Sequence, residues 1–251
     1  MNRLHAQWQR LFLAPGLQPR EDQAPPLADA QGRTRALLLE LARPADWQAL
    51  SAVWQAVQQE LGLPAPAIAI SGREGYQLWF PLAEAVEAAQ GLDFLRALCR
   101  RYLPDIPAPR LHLQAGSTCD GGRAGPGQII ALPPRAQTAP ERWSAFVSPD
   151  LAPVFTDSPW LDMAPGPDAQ ADVLAPVLPV PGGALEEALS RLTPAPAAAP
   201  LPAAQGSGES PRPAADPREA AIAFLTQVMH DGSAPLAQRI EAARALLGSG
   251  R

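Results

Sequence analysis

Ala67-Ile68-Ala69-Ile70-Ser71-Gly72-Arg73-Glu74-Gly75-Tyr76-Gln77-Leu78-Trp79-Phe80-Pro81-Leu82 is the stretch that decides the fold. Its first four residues form an apolar run of strand length, and Ser71 to Gly75 carries turn chemistry. The next seven alternate. Tyr76, Leu78, Phe80 and Leu82 fall on one face, Gln77 and Trp79 on the other, as in a half-buried strand. Two strands around a tight turn make a hairpin, and Pro81 predicts an edge or a bulge near its end.

Working outward, Thr34 to Leu41 has the length and apolar content of a strand. Pro44 suits a first helical turn, and Trp47, Leu50, Val53, Trp54, Val57 and Leu61 recur at helical spacing until Gly62. Beyond the hairpin, Leu92, Leu95, Leu98, Cys99 and Tyr102 mark a second amphipathic helix. Residues 34–103 thus read β-α-β-β-α, an α+β pattern in which helices cover one face of a small antiparallel sheet. Further strands are expected at Arg110–Gln114 and Gln128–Leu132, around a glycine-rich loop at 116–127. Short apolar pieces follow at Trp143–Val147 and Leu151–Phe155, and Trp160-Leu161 closes the ordered part.

The expected organisation has four parts. Residues 1–33 form a short amphipathic helix and a loop, and 34–162 the α+β domain. Residues 163–215 form a Pro/Ala-rich linker, mostly disordered, with one or two helical turns at Leu185–Leu192. Residues 216–251 form a helical hairpin with stripes at Phe224, Leu225, Val228, Met229 and at Leu236, Ile240, Leu247. Two such helices bury little by themselves, so residues 217–247 are expected to dock on a protein partner, on a second copy or on the main domain.

Composition narrows the chemistry. All 20 basic residues are arginine, which points to a GC-rich bacterial genome. It also excludes a P-loop, a kinase-type lysine and a Schiff-base lysine. A net charge of −5 argues against a general nucleic-acid coat but permits a local arginine stripe. Cys99 and Cys119 are too few for a disulfide framework, and Cys99 sits in a helical apolar pattern as a buried thiol would. His5, His112 and His230 lie far apart without metal spacing, so no metal and no cofactor is expected. Without a membrane-length apolar run or a leader at Met1, a cytoplasmic protein with no membrane contact is expected.

Three blocks in order, Leu38-Leu39-Glu40-Leu41 with Asp46-Trp47, Ser71 to Phe80, and Gly127 to Pro133 with Trp143 to Leu151, resemble the archaeo-eukaryotic primase superfamily. The likeness is to the primase-like domain of TOTE-type conflict systems in particular, over about half the chain. It implies a primase-like fold, and by the same likeness the catalytic positions are degenerate. The family's Asp-x-Asp pair falls at Glu40-Leu41-Ala42, its nucleotide-contacting His at Gln77, and its later acid near Pro109-Arg110-Leu111. Phosphodiester formation needs carboxylates to hold divalent ions, so no catalytic residue is assigned.

Ser71, Arg73, Tyr76, Gln77 and Trp79 are the candidate nucleic-acid or nucleotide contacts. Arg73 could reach a phosphate or be a solvated turn residue. Trp79 could stack a base or pack inside. Arg96, Arg100 and Arg101 could touch a phosphate or form a solvated face. A lone carboxylate rarely fixes a divalent ion, so Glu40 reads as a polar residue at a strand edge in preference to a surviving ligand. Three function classes stay open: a catalytically inactive primase-like module that binds DNA, RNA or nucleotide, a divergent metal-dependent primase-polymerase, and a scaffold with no nucleic-acid role.

Overall fold

The computed structural model describes residues 2–14, 25–120, 122–123, 129–137 and 142–193. The chain divides into two units, Met1–Ala198 and Ala199–Arg251. The expectations for residues 194–215 and for the hairpin at 217–247 lie outside the described residues.

In chain order the first unit contains α1 (Arg3–Leu11), β1 (Arg33–Ala42), α2 (Trp47–Gln59), β2 (Ala67–Ile70), β3 (Gly75–Glu87) and α3 (Ala88–Tyr102). Then follow β4 (Leu111–Ala115), β5 (Thr118–Cys119), β6 (Gly122–Arg123), β7 (Arg135–Ala136), β8 (Trp143–Val147), α4 (Pro167–Leu174) and α5 (Ala184–Leu192). The strands form one antiparallel sheet in the order β6-β5-β4-β1-β3-β2-β8-β7. The class is α+β, and β2 and β3 pair as the expected hairpin.

Gly72 makes that hairpin possible. Its φ is +75°, and a Cβ there would lie 2.6 Å from the Ser144 backbone nitrogen. A side chain would both strain the turn and push β8 away.

Several expectations are corrected. The sheet is buried on both faces, so β3 is not half-buried. Leu37, Leu39, Tyr76, Leu78 and Phe80 pack beneath α2, α3 and α5, while Leu38, Trp79 and Phe146 pack beneath α1 and α4. The limits 34–162 are accordingly too narrow. Leu4, Trp8, Leu11 and Phe12 belong to the second core, as do Ala171 and Leu174 of α4. Leu185, Ala188 and Leu192 of α5 belong to the first. These helices are short, and tertiary packing stabilises them where propensity alone would not. Residues 163–193 are therefore largely structured, where a linker was expected.

Pro44 precedes α2 instead of opening it. Asp46 is the N-cap and accepts from the Ala49 N–H at 3.0 Å. Pro81 lies inside β3, next to β1, and the expected bulge follows it on β3, where Pro81 to Val86 face only Thr34 to Ala36 of β1. Past the end of β2, the Val180 N–H donates to the Pro81 carbonyl at 2.8 Å and takes over as neighbour. Part of the expected glycine-rich loop is the short β5 and β6.

No strand forms at residues 129–132. The Gln114 side-chain amide instead holds Ile130 from both sides, donating to its carbonyl at 2.9 Å and accepting from its N–H at 2.7 Å. Gln170 of α4 does the same for Phe146, accepting at 2.7 Å and donating at 3.0 Å. Each amide presents one donor and one acceptor, as a neighbouring peptide would. Arg35, opposite that bulge, donates to the carbonyls of Leu82, Leu13 and Arg10 and ties the end of α1 to the sheet.

Candidate functional site

Period-2 alternation sends Leu39 and Leu41 of β1 to the α2/α3 face and Glu40 to the other. There Glu40 stands in register between Gln77 of β3 and His112 of β4. Glu40 is central in the sheet, a correction of the strand-edge expectation. Further along the same face Leu38 and Trp79 are covered by α1 and its following residues. Where that cover ends, a cleft of about 1060 Å³ opens over Glu40, Gln77 and His112. Its walls come from the β2–β3 turn, the start of β4, the end of β5 and the segments around Ile130, Arg135 and Arg142.

A hydrogen-bond chain runs through the floor. Trp79 Nε1 donates to Gln77 Oε1 at 2.9 Å, and Gln77 Nε2 donates to Glu40 Oε2 at 2.8 Å. Gln77 is 1 % exposed and Glu40 8 %. Burial pushes the Glu40 carboxyl above the ordinary carboxylate range, against the Gln77 bond and the charges of His112, Arg73 and Arg43.

Among the described residues five arginines line the cleft: Arg43, Arg73, Arg110, Arg135 and Arg142. Arg110 is pinned by the carbonyls of Ala42 and Pro44 at 3.2 and 2.8 Å, and Arg73 Nε donates to Gln137 at 2.7 Å. The Arg142 guanidinium lies over the Trp160 ring at 3.6 Å. Arg135 Nε is buried without a protein acceptor among the described residues. None of these five except exposed Arg43, 3.7 Å from Glu74, has a carboxylate within ion-pair distance among the described residues. The rim acid Asp120 is instead engaged by Arg96 of α3.

Of the residues singled out from sequence, Ser71, Arg73 and Gln77 line the cleft. Ser71 Oγ accepts from the Arg73 and Gly75 N–H groups and shapes the turn. Tyr76 faces the other core, fully buried, and its hydroxyl donates to the Ala152 carbonyl at 2.6 Å. Trp79 shares the cleft's face of the sheet but is fully buried, with Phe12 packed edge-on at 5.9 Å. Neither ring has an open face for a base. Arg96 is committed to Asp93 and Asp120, and Arg101 lies 3.8 Å from Glu60.

His112, Cys119, Arg135, Arg142 and Trp160 were not singled out as site residues. Alternation in β4 places His112 beside Gln114, but nothing local marks the arginines. Cys119 Sγ lies 3.7 Å from His112 Nε2. Burial pushes that thiol up, away from the thiolate a nucleophile requires. Among the described residues no group of His, Cys, Asp and Glu gathers as a metal ligand set, and no helix is long and apolar enough to cross a membrane.

No family model and no curated protein matches this chain. The functional reading therefore rests on the cleft: a concave surface with an excess of arginine over acid, in a chain of net charge −5.

Proposed function

We propose that this protein is a non-catalytic, primase-like module that holds nucleic acid or a nucleotide by its phosphates in the arginine-lined cleft. The observation that carries it is the convergence of Arg73, Arg110, Arg135 and Arg142 around one buried carboxyl. Guanidinium forks match phosphate oxygens in geometry and charge. The three places where the resemblance expects catalytic groups, Glu40, Gln77 and Arg110, share this cleft, which supports the likeness. Their chemistry supports binding without turnover. Nucleotidyl transfer uses carboxylates to hold divalent ions, whereas Glu40 is buried against a neutral amide and Arg110 brings a cation where the later acid is expected.

Equilibrium binding of labelled single-stranded DNA, RNA and a nucleoside triphosphate, with and without Mg²⁺, tests it. Salt-sensitive, Mg²⁺-independent binding is expected, with no incorporation in a primer-extension assay. Metal-dependent incorporation abolished by Glu40→Ala would overturn it in favour of a primase-polymerase, and absence of binding at low salt would leave the scaffold alternative. From sequence alone, residues 217–247 are assigned partner docking. A cooperative, concentration-independent melt of a 216–251 peptide would remove that role.

A further inference from the structure

We propose that Glu40 makes occupancy of the cleft proton-linked, so that a phosphate-bearing anion binds while the carboxyl carries its proton and is expelled when the proton leaves. The proposal rests on the reading of the cleft as an anion site.

Glu40 is built unlike the other acids of the cleft. Glu74 and Asp120 are exposed, and each faces an arginine, Arg43 and Arg96 respectively. Glu40 lies on the sheet floor, 8 % exposed, and is held by the neutral Gln77 amide, whose oxygen is already taken by Trp79. Gln77 is neutral and has no charge to change. Burial favours the neutral carboxyl, as its upward shift reflects.

The other charged and titratable groups around it come from every wall. They are Arg43 after β1, Arg73 and Glu74 in the β2–β3 turn, Arg110 and His112 at β4, Cys119 and Asp120 at β5, Arg135 at β7, and Arg142 before β8. The arginines keep their charge throughout the accessible pH range. Glu40 and its register partner His112 are thus the groups whose charge can swing beneath the ligand. Loss of either proton makes the floor more negative and works against an anion. Linkage makes the effect reciprocal: an anion in the cleft disfavours the Glu40 carboxylate, so binding above the pH at which the empty cleft ionises takes up a proton.

The probe is a rhodamine-labelled oligothymidylate, whose phosphodiesters and bases do not titrate between pH 5 and 8. With the full chain at constant ionic strength, affinity is expected to fall over that interval by roughly ten- to fifty-fold, the scale of one added charge about 7–12 Å away at an effective dielectric of about 20. Glu40→Gln, which can still accept from Gln77, is expected to remove the Glu40 share of that fall, while His112→Gln leaves that share in place. Calorimetry in two buffers of different ionisation enthalpy is expected to show proton uptake by the unaltered chain and less by Glu40→Gln. This calorimetric readout on the unaltered chain needs no variant to fold. Equal affinity at pH 5 and 8, a pH profile unchanged by Glu40→Gln, or binding without proton uptake would each overturn the linkage while leaving the anion site standing. Absence of binding at every pH removes both.

Discussion

Replacing Gln77 by Leu cuts the chain Trp79–Gln77–Glu40 at its middle member. The side chains are similar in volume, so packing changes little, and hydrogen bonding dominates the cost. Trp79 is fully buried, and its indole N–H is left without its acceptor. An unsatisfied buried donor costs about 1–3 kcal/mol. The Glu40 carboxyl loses its donor too, at a site that opens onto the cleft, so its share lies at the lower end of that range. Together the loss is ~2–4 kcal/mol, or roughly 5–15 °C in Tm for a folded unit of this size. The assay is urea denaturation of the full chain followed by tryptophan fluorescence. Adding Glu40→Leu is expected to return part of the loss, because it removes one of the two orphaned groups. A cost below about 1 kcal/mol for the single change would refute the account, since the floor would then not depend on this chain of bonds.

Further outcomes follow from the same geometry. Because the folded state holds the Glu40 proton where the unfolded chain has lost it, stability should decline from the ordinary carboxylate range upward until Glu40 ionises. Glu40→Gln should lack that decline, and parallel profiles of urea midpoint against pH would contradict this. Gly91→Ala would place a Cβ 2.4 Å from Leu37 Cδ2 and 3.2 Å from Ala115 Cβ. Overpacking of about 1–3 kcal/mol should outweigh about 1 kcal/mol of helix propensity, and a stabilised variant would show that α3 can shift. Arg142→Ala and Trp160→Leu should each flatten the salt dependence of oligonucleotide binding by about one phosphate contact. The double change should do no more, and full binding by Trp160→Leu would show that the stacking does not hold Arg142 in place. The Cys99 thiol, pushed up to about 12 by burial, should resist alkylation at pH 8 in the folded chain, as followed by mass spectrometry.

The hairpin at residues 67–82 was legible because its signals are local: turn residues in one run, then alternation. The periods of α2 and α3 were legible for the same reason, and so was the grouping of Ser71, Arg73 and Gln77 near one turn. The second face of the sheet was not legible. Its cover comes from Leu4, Trp8 and Phe12 on one side and Ala171 and Leu174 on the other, tens of residues from the strands they bury. Alternation places Trp79 opposite Tyr76 correctly, but cannot tell a surface from an interface with a distant helix. Arg135 and Arg142 sit in segments without a period, and only the strand order β2-β8-β7 brings them to Glu40. Gln114 and Gln170 look like ordinary polar residues, because a side chain that replaces a strand leaves no pattern in sequence. Pro44 misled because the cap at Asp46, two residues on, outranks it as a helix start.

The first helix also sets a timing problem for the growing chain. Arg10 of α1 donates to the Leu174 carbonyl, a bond that spans 164 positions, and Arg3 reaches Asp172 across 169. At about 5–20 residues per second, the ribosome needs roughly ten to thirty seconds to make that distance. Through that interval Leu4, Trp8 and Leu11 have no complete surface to bury them, because α4 does not yet exist. Closure of that core is thus a late, non-local event of the kind that slows folding. The element synthesised first is among the last to be seated, and its apolar stripe stays incompletely covered until α4 has been made.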